Sequence, residues 1–254
     1  MKQILSKILA LLMICLFLLL FSSTSQAREL VCGIAKGFPP YQFSIKGKPA
    51  GFDAEVVRLI SQKLNREITF IQEDWDHVVN LLRFGSIDFI AGMEINDLRM
   101  QLFDFTRAYY HRYDVVFIRE DDKRIKTVED LYNEIITGDR HSFVELDWEK
   151  KGIKNKIRIM QTGTKQESMT LLGSGTTRAA IMPKAVGIFL ANQMDLRVKI
   201  LINSDPGSRV GLAVAKGNQK LLSLIDQVLV QLIHSKQVDR LYNKWFDFPQ
   251  EKGE

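Results

Sequence analysis

Cysteine and histidine are scarce in this sequence, with two of the first and four of the second in 254 residues. Cys15 lies in an apolar N-terminal run, and Cys32 sits in the stretch Leu30-Val31-Cys32-Gly33-Ile34. Once residues 1–27 are removed, Cys32 stands alone and no internal disulfide can form. Its apolar neighbours read as a buried strand, and Cys32 as a quiet core thiol. The histidines, at 77, 111, 141 and 234, are dispersed, and no Cys/His spacing supports a zinc site. No metal or cofactor is expected. A strong excess of one charge is missing too: the formal net charge of +5 falls to +3 when Lys2 and Lys7 leave with residues 1–27. The excess is spread over mixed-sign segments, so nucleic acid is not an expected partner. Neither an internal repeat nor a low-complexity segment is visible.

What is present begins with a leader. Lys2 and Lys7 precede an apolar run over 8–21, and Ser22-Ser23-Thr24-Ser25-Gln26-Ala27 follows it. A basic start, an apolar centre and a small-residue exit predict a secretory signal peptide cleaved after Ala27, hence a periplasmic protein. The run falls short of the about 20 apolar residues that span a bilayer, an uncleaved anchor being the alternative. Met13-Ile14 before Cys15 and Leu30-Val31 before Cys32 are both too bulky for lipid attachment. A mature length of 227 residues allows one large domain or two small lobes with an ordinary core.

Strand and helix signals alternate from Leu30 onward. The apolar run over 30–35 predicts a strand, broken by Gly37-Phe38-Pro39-Pro40. Asp53 reads as the N-cap of a helix over 54–64, with Val56, Val57, Leu59, Ile60 and Leu64 on one face. Further strands are predicted over 68–71, 87–91, 115–119, 135–137, 157–160, 179–182, 199–202 and 210–214. Helices are predicted over 75–84, 97–102 and 221–232. Such alternation implies βαβ units and an α/β fold: a mixed, mostly parallel sheet flanked by helices in each of two lobes. Charged or Gly/Pro-containing connections near 119–126 and 203–209 suggest a two-strand hinge. Lobe 1 is then expected over 28–119 and 204–254, with lobe 2 inserted over 120–203. Ligands of such folds sit at strand ends and between lobes.

The order of local motifs carries a resemblance. Gly37-Phe38-Pro39-Pro40-Tyr41-Gln42-Phe43 is followed by Gly51-Phe52-Asp53-Ala54-Glu55, then Trp75-Asp76 and Leu82-Arg83-Phe84-Gly85-Ser86-Ile87-Asp88. Next come Arg99, Phe103-Asp104-Phe105-Thr106-Arg107-Ala108-Tyr109-Tyr110 and the closing Lys244-Trp245-Phe246. Across about 220 residues this series resembles the family 3 extracellular solute-binding proteins, the periplasmic amino-acid receptors of ABC importers. The resemblance implies that Phe38 and Trp75 sandwich a ligand, although core packing would also account for either. It implies that Arg99 grips a ligand carboxylate with its guanidinium fork; a surface pair with Asp97 or Asp104 is the alternative. Gly92 and Met93 would lend backbone groups. Glu94 stands where the family favours serine, and is either a cation acceptor or a solvated rim residue.

The second lobe departs from that pattern. The loop expected to hold an anion at a helix N-terminus is Gly138-Asp139-Arg140-His141-Ser142, where Asp139 would repel an anion and Arg140 attract one. The family's aspartate for an amino-acid ammonium is matched by Pro183. The expected function is therefore capture of a small carboxylate-bearing solute, an amino acid as the leading class, by lobe closure. The expected partner is an inner-membrane ABC permease, and the protein is expected to act as a monomer. An enzymatic role is not expected. The alternatives are a periplasmic dehydratase-like enzyme of the cyclohexadienyl dehydratase type, with Glu94, Asp139 or His141 as acid or base, and a ligand-sensing component.

Overall fold

The computed structural model describes residues 28–138, 142–202 and 205–246. The proposed leader, Asp139 and Arg140 of the second-lobe loop, and His141 lie outside the described residues. Two mixed sheets form two lobes. In the first, β1 (Leu30–Ala35) runs parallel between β4 (Ile68–Glu73) and β5 (Phe89–Glu94). The long return strand β13 (Ser208–Ala215) then pairs antiparallel with β5, and with the short strands β6 (Phe103–Phe105) and β7 (Tyr110–Arg112). Between these lie the hairpin β2 (Phe43–Ile45) and β3 (Lys48–Ala50), and the helices α1 (Phe52–Leu64), α2 (Trp75–Arg83) and α3 (Asp97–Leu102).

The second sheet repeats the plan. Its strands β9 (Ile135–Thr137), β10 (Arg158–Met160) and β11 (Ala179–Pro183) are mutually parallel, in the order β10-β9-β11. β8 (Asp114–Arg119) pairs antiparallel with β11, and β12 (Val198–Ile202) pairs antiparallel with β8. Helices α4 (Phe143–Lys150), α5 (Lys165–Gly173) and α6 (Lys184–Gln193) flank it. The chain closes with α7 (Gln219–His234) and α8 (Gln237–Phe246), which pack on each other and on α1.

Hydrophobic burial explains both layers. Leu30, Cys32 and Ile34 of β1 pack with Val56, Val57 and Ile60 of α1, and with Ile225, Leu229 and Leu232 of α7. In the second lobe Val116, Ile118, Ile136, Trp148 and Ile181 form a separate core. At about 25 cal/mol per Å² of apolar area, such clusters are the main favourable term in folding.

Two expectations are corrected. The strand Asp114–Arg119, expected in the first lobe, lies between β11 and β12 in the second sheet. Val115 to Ile118 are all buried there, and the charged stretch 120–126 follows as a turn-rich edge instead of a crossing. The chain therefore passes between sheets at Tyr113 and returns between Ile202 and Ser208. Asp53 does not cap α1. Gly51 holds the N-cap position, with its carbonyl accepting from Glu55 N at 3.1 Å, and the Asp53 side chain turns into the core.

Candidate ligand-binding site

β5 ends in a distortion that shapes the first wall of the cleft. Between the pairs Ile90–Ala213 and Met93–Gly211, β5 has two residues where β13 has one. The extra residue makes a β-bulge, a device that bends a strand and frees backbone groups. Gly92 sits in it at φ +72°, where a Cβ would collide with the Gln42 amide and the Asp53 carboxylate. The Ala91 carbonyl accepts from Gln42 Nε2 at 2.8 Å, and the same nitrogen donates to Asp53 Oδ2 at 2.6 Å. Tyr109 donates its hydroxyl to Asp53 Oδ1 at 2.6 Å. Burial pushes the Asp53 carboxyl up to about 6, against the hydrogen bonds of Tyr109 and Gln42 and the charge of Arg112. The network is closed on itself and lies directly under the wall.

Above it, two arginines and two aromatic rings come together. Asn96 caps α3 by accepting from Arg99 N at 2.9 Å, which fixes where the Arg99 side chain starts. The guanidinium lies 5.5 Å from the centroid of the Trp75 ring, at the start of α2. Its Nη1 donates to the Glu94 carbonyl at 3.2 Å and lies 3.6 Å from Glu94 Oε2. Arg112 lies 5.1 Å from the centroid of Phe38 and reaches Glu94 Oε1 through Nε at 3.1 Å and Nη2 at 2.8 Å. Cation–π contacts of this kind contribute about 0.5–2 kcal/mol, more as water is excluded. The loop bearing Phe38 is closed by reciprocal bonds between Phe38 and Gln42, at 2.7 and 2.8 Å.

The charges are mutually adjusted. Burial raises the Glu94 carboxyl, but the charge and hydrogen bonds of Arg112, with the charge of Arg99, bring it below its ordinary value. Burial and the repulsion of Arg112 lower the Arg99 guanidinium while Glu94 raises it, and an arginine remains cationic throughout. Arg112 is half-buried, which lowers its guanidinium, but the charge of Glu94 outweighs this and holds it strongly protonated. Glu94 is thus matched by Arg112, and the cation left over is Arg99. A planar fork across an indole, partly sheltered from water, is suited to a carboxylate.

The structure gathers Phe38, Trp75, Glu94 and Arg99 at one wall, with Gly92 just beneath. Met93 is fully buried in the core behind that wall and presents only its backbone. Arg99 pairs with neither Asp97 nor Asp104; Asp104 instead meets Lys216 at 2.9 Å. Glu94 is an ion-pair hub and not a solvated rim residue. Arg112, missed in the sequence, is as central as Arg99. Its only signal was a basic residue following a buried aromatic pair.

The second wall is carried by β8, β11 and the N-terminal end of α4. Ser142 caps α4 by accepting from Glu145 N at 3.2 Å. The two crossings are tied together, since Asp205 Oδ2 accepts from Asp114 N at 2.6 Å and Asp205 Oδ1 from Gly207 N at 2.7 Å. Phe43 of β2 meets Phe189 of α6 at 5.6 Å and Trp245 of α8 at 5.7 Å, an aromatic contact across the lobes.

Residues 30–248 match the model of the bacterial extracellular solute-binding proteins, family 3. The chain belongs to that family. Among curated relatives, the amino-acid-binding protein AabA of Dichelobacter nodosus is 29% identical over 210 residues, 79% of this chain and 81% of that one. An ancestral arginine-binding protein solved with arginine bound is 29% identical, with a TM-score of 0.77 over 87% of this chain and 99% of that one. A histidine kinase sensor domain with similarity to periplasmic binding proteins is 25% identical, with a TM-score of 0.77 over 87% and 96%. The two-lobed fold and the solute-binding class of this family member follow.

Proposed function

We propose that this protein captures a small carboxylate-bearing solute, an amino acid, between its lobes and presents it to an inner-membrane ABC importer. The observation that carries this reading is the Arg99 guanidinium held across Trp75 by the Asn96 cap and Glu94. The amino-acid-binding relatives support the same class of solute. A solute that touches both walls stabilises the closed arrangement by its differential affinity for it, which is what a permease would read. Phe38, Trp75, Gly92, Met93, Glu94 and Arg99 serve as the first-lobe contacts in this reading, and Asp139 and Arg140 as those of the second-lobe loop.

The test is a thermal-shift screen of residues 28–254 against the twenty proteinogenic amino acids and small organic acids. At a hundredfold excess over Kd, a true ligand adds about 2.7 kcal/mol of stability. At least one amino acid is expected to raise the melting temperature by several degrees. Arg99→Ala should abolish that shift and leave the unliganded melting temperature nearly unchanged, because Arg112 still neutralises Glu94. Retention of wild-type affinity by Arg99→Ala would remove the central residue of this reading. A shift with dicarboxylates and none with amino acids would overturn the solute class and call for a dehydratase turnover assay. The likeness to a kinase sensor domain supports a second reading, in which the closed form reports to a membrane sensor. Crosslinking the loaded protein in its own membrane separates the two by identifying a permease or a kinase.

A further inference from the structure

An amino acid taken out of water brings an ammonium group with it, and a sheltered cation needs an anionic partner. Glu94 is already engaged, by Arg112 through two nitrogens and by Arg99. A second carboxyl faces the same cluster from the other lobe. Asp114 opens β8, immediately after the crossing at Tyr113, and its backbone N–H is held by Asp205. Its Oδ2 accepts from Phe143 N, the first residue of α4, at 3.2 Å. Among the described residues, Oδ1 accepts no hydrogen bond. Burial, and then the charge of Glu94, push this carboxyl up to about 6, while Arg112 and the Phe143 amide pull it down. Among the described residues it is a sheltered anion accepting one hydrogen bond, where Asp53 accepts three.

The register of the second sheet says where that anion points. Asp114 stands directly opposite Pro183 in the antiparallel pair of β8 and β11. Directly opposed residues project to the same face, with Cβ atoms about 4.5–5.5 Å apart. A carboxylate on β8 thus serves the volume at the end of β11, where a proline side chain offers neither charge nor acceptor.

We infer that the cleft holds its solute as a zwitterion, with Arg99 of the first lobe on the carboxylate and Asp114 of the second on the ammonium. This rests on the amino-acid reading above and deepens it. Each charged end of the solute then belongs to a different lobe, so only a molecule carrying both can bridge them. A deaminated acid leaves Asp114 unpaired, and a dicarboxylate sets a second anion against it. Because Asp114 adjoins the crossing and Asp205 grips its backbone, the ammonium contact bears on the segment about which the lobes move.

The test uses residues 28–254 titrated calorimetrically with each amino acid that gives a thermal shift. Each is compared with its deaminated counterpart, such as 5-guanidinopentanoate for arginine or 3-phenylpropanoate for phenylalanine. The wild type is expected to prefer the amino acid by about 100-fold. Asp114→Asn, which keeps an oxygen for the Phe143 N–H, should cut the preference to about tenfold or less while changing the Kd of the deaminated acid less than about threefold. Asp114→Glu should keep most of the preference. The double variant Asp114→Asn with Pro183→Asp, restoring the charge one strand away, should recover it. An Asp114→Asn protein with its preference intact overturns the assignment, as does a wild type that binds both molecules equally. A wild type that binds no amino acid at all sinks the amino-acid reading itself, which is a different failure.

Discussion

Asp53 beneath the first wall is buried and Asp114 in the second is half-buried; both are pushed up to about 6, and both lie near Arg112. Their surroundings differ in kind. Asp53 accepts from Gln42, Tyr109 and Tyr110 and is sealed from solvent. Among the described residues Asp114 accepts one backbone N–H, and it stays half-buried at the crossing. A buried carboxylate with every oxygen occupied fixes a shape, whereas one with an oxygen to spare can receive something. Burial alone therefore does not mark a binding residue; the count of satisfied oxygens does.

The largest effect that would break this contrast is on stability. In Asp53→Asn the carboxamide oxygen can still accept from Gln42 Nε2, whose orientation is locked by Ala35 N and the Ala91 carbonyl, but the new NH2 then faces Tyr109, whose hydroxyl must turn from donor to acceptor. The bonds to a charged acceptor in the core are lost, and the expected loss is about 3 kcal/mol by chemical denaturation. Asp114→Asn should lose less than about 1 kcal/mol, since its one accepted bond survives. The pH dependence carries the same signature. Asp53 titrates near 6 in the fold and near 3.8 when unfolded, so the native state binds the proton more tightly in between. The stabilisation is present below about 3.8 and is lost as the pH rises through about 6, and Asp53→Asn should flatten that slope. An Asp53→Asn protein as stable as the wild type, or equal losses in the two variants, would erase the distinction.

A smaller effect should follow at Gly92. Its φ of +72° and the collision of any Cβ with Gln42 and Asp53 predict that Gly92→Ala costs about 2 kcal/mol and tilts the end of β5. Amino-acid affinity should fall with it, because Glu94 lies two residues on and holds both arginines. A Gly92→Ala protein that binds normally would separate the Asp53 network from the wall it lies under.

Local pattern carried the elements, and non-local pairing did not show in it. The apolar positions over 221–232 give α7 almost to its ends, and Trp75 and Arg99 lie at the helix starts that their neighbours predict. The strand over 115–119 was legible too. Its sheet was not, because membership depends on register with residues some 60 positions away at Ala179 to Pro183. For the same reason Asp53 reads as a helix cap by its position after Gly51-Phe52, while its true partners, Gln42 and Tyr109, come from two other segments. Arg112 and Asp114 flank the crossing, and a misplaced crossing hides both. The motif order led to one wall of the cleft, and the antiparallel pairing of β8 with β11 was needed to find the other.

The finest way to sharpen the comparison is to titrate binding itself. The groups facing Asp114 are Glu94 from β5, Arg112 from β7, Asp205 from the return crossing and the Phe143 amide from α4. Glu94 is held ionised by Arg112, and the arginines keep their charge, so Asp114 is the member of this set that titrates near 6. An ammonium favours the ionised carboxylate, so protons compete with the solute as the pH falls through about 6. At pH 5, one unit below, about nine-tenths of Asp114 is protonated in the free protein, and amino-acid affinity should be about tenfold weaker than at pH 7.5. The deaminated counterpart should lose none of its affinity by this route. In Asp114→Asn the profile for the amino acid should be flat over that range, whereas a profile unchanged from wild type would transfer the titration to another group and leave Asp114, like Asp53, a residue of structure alone.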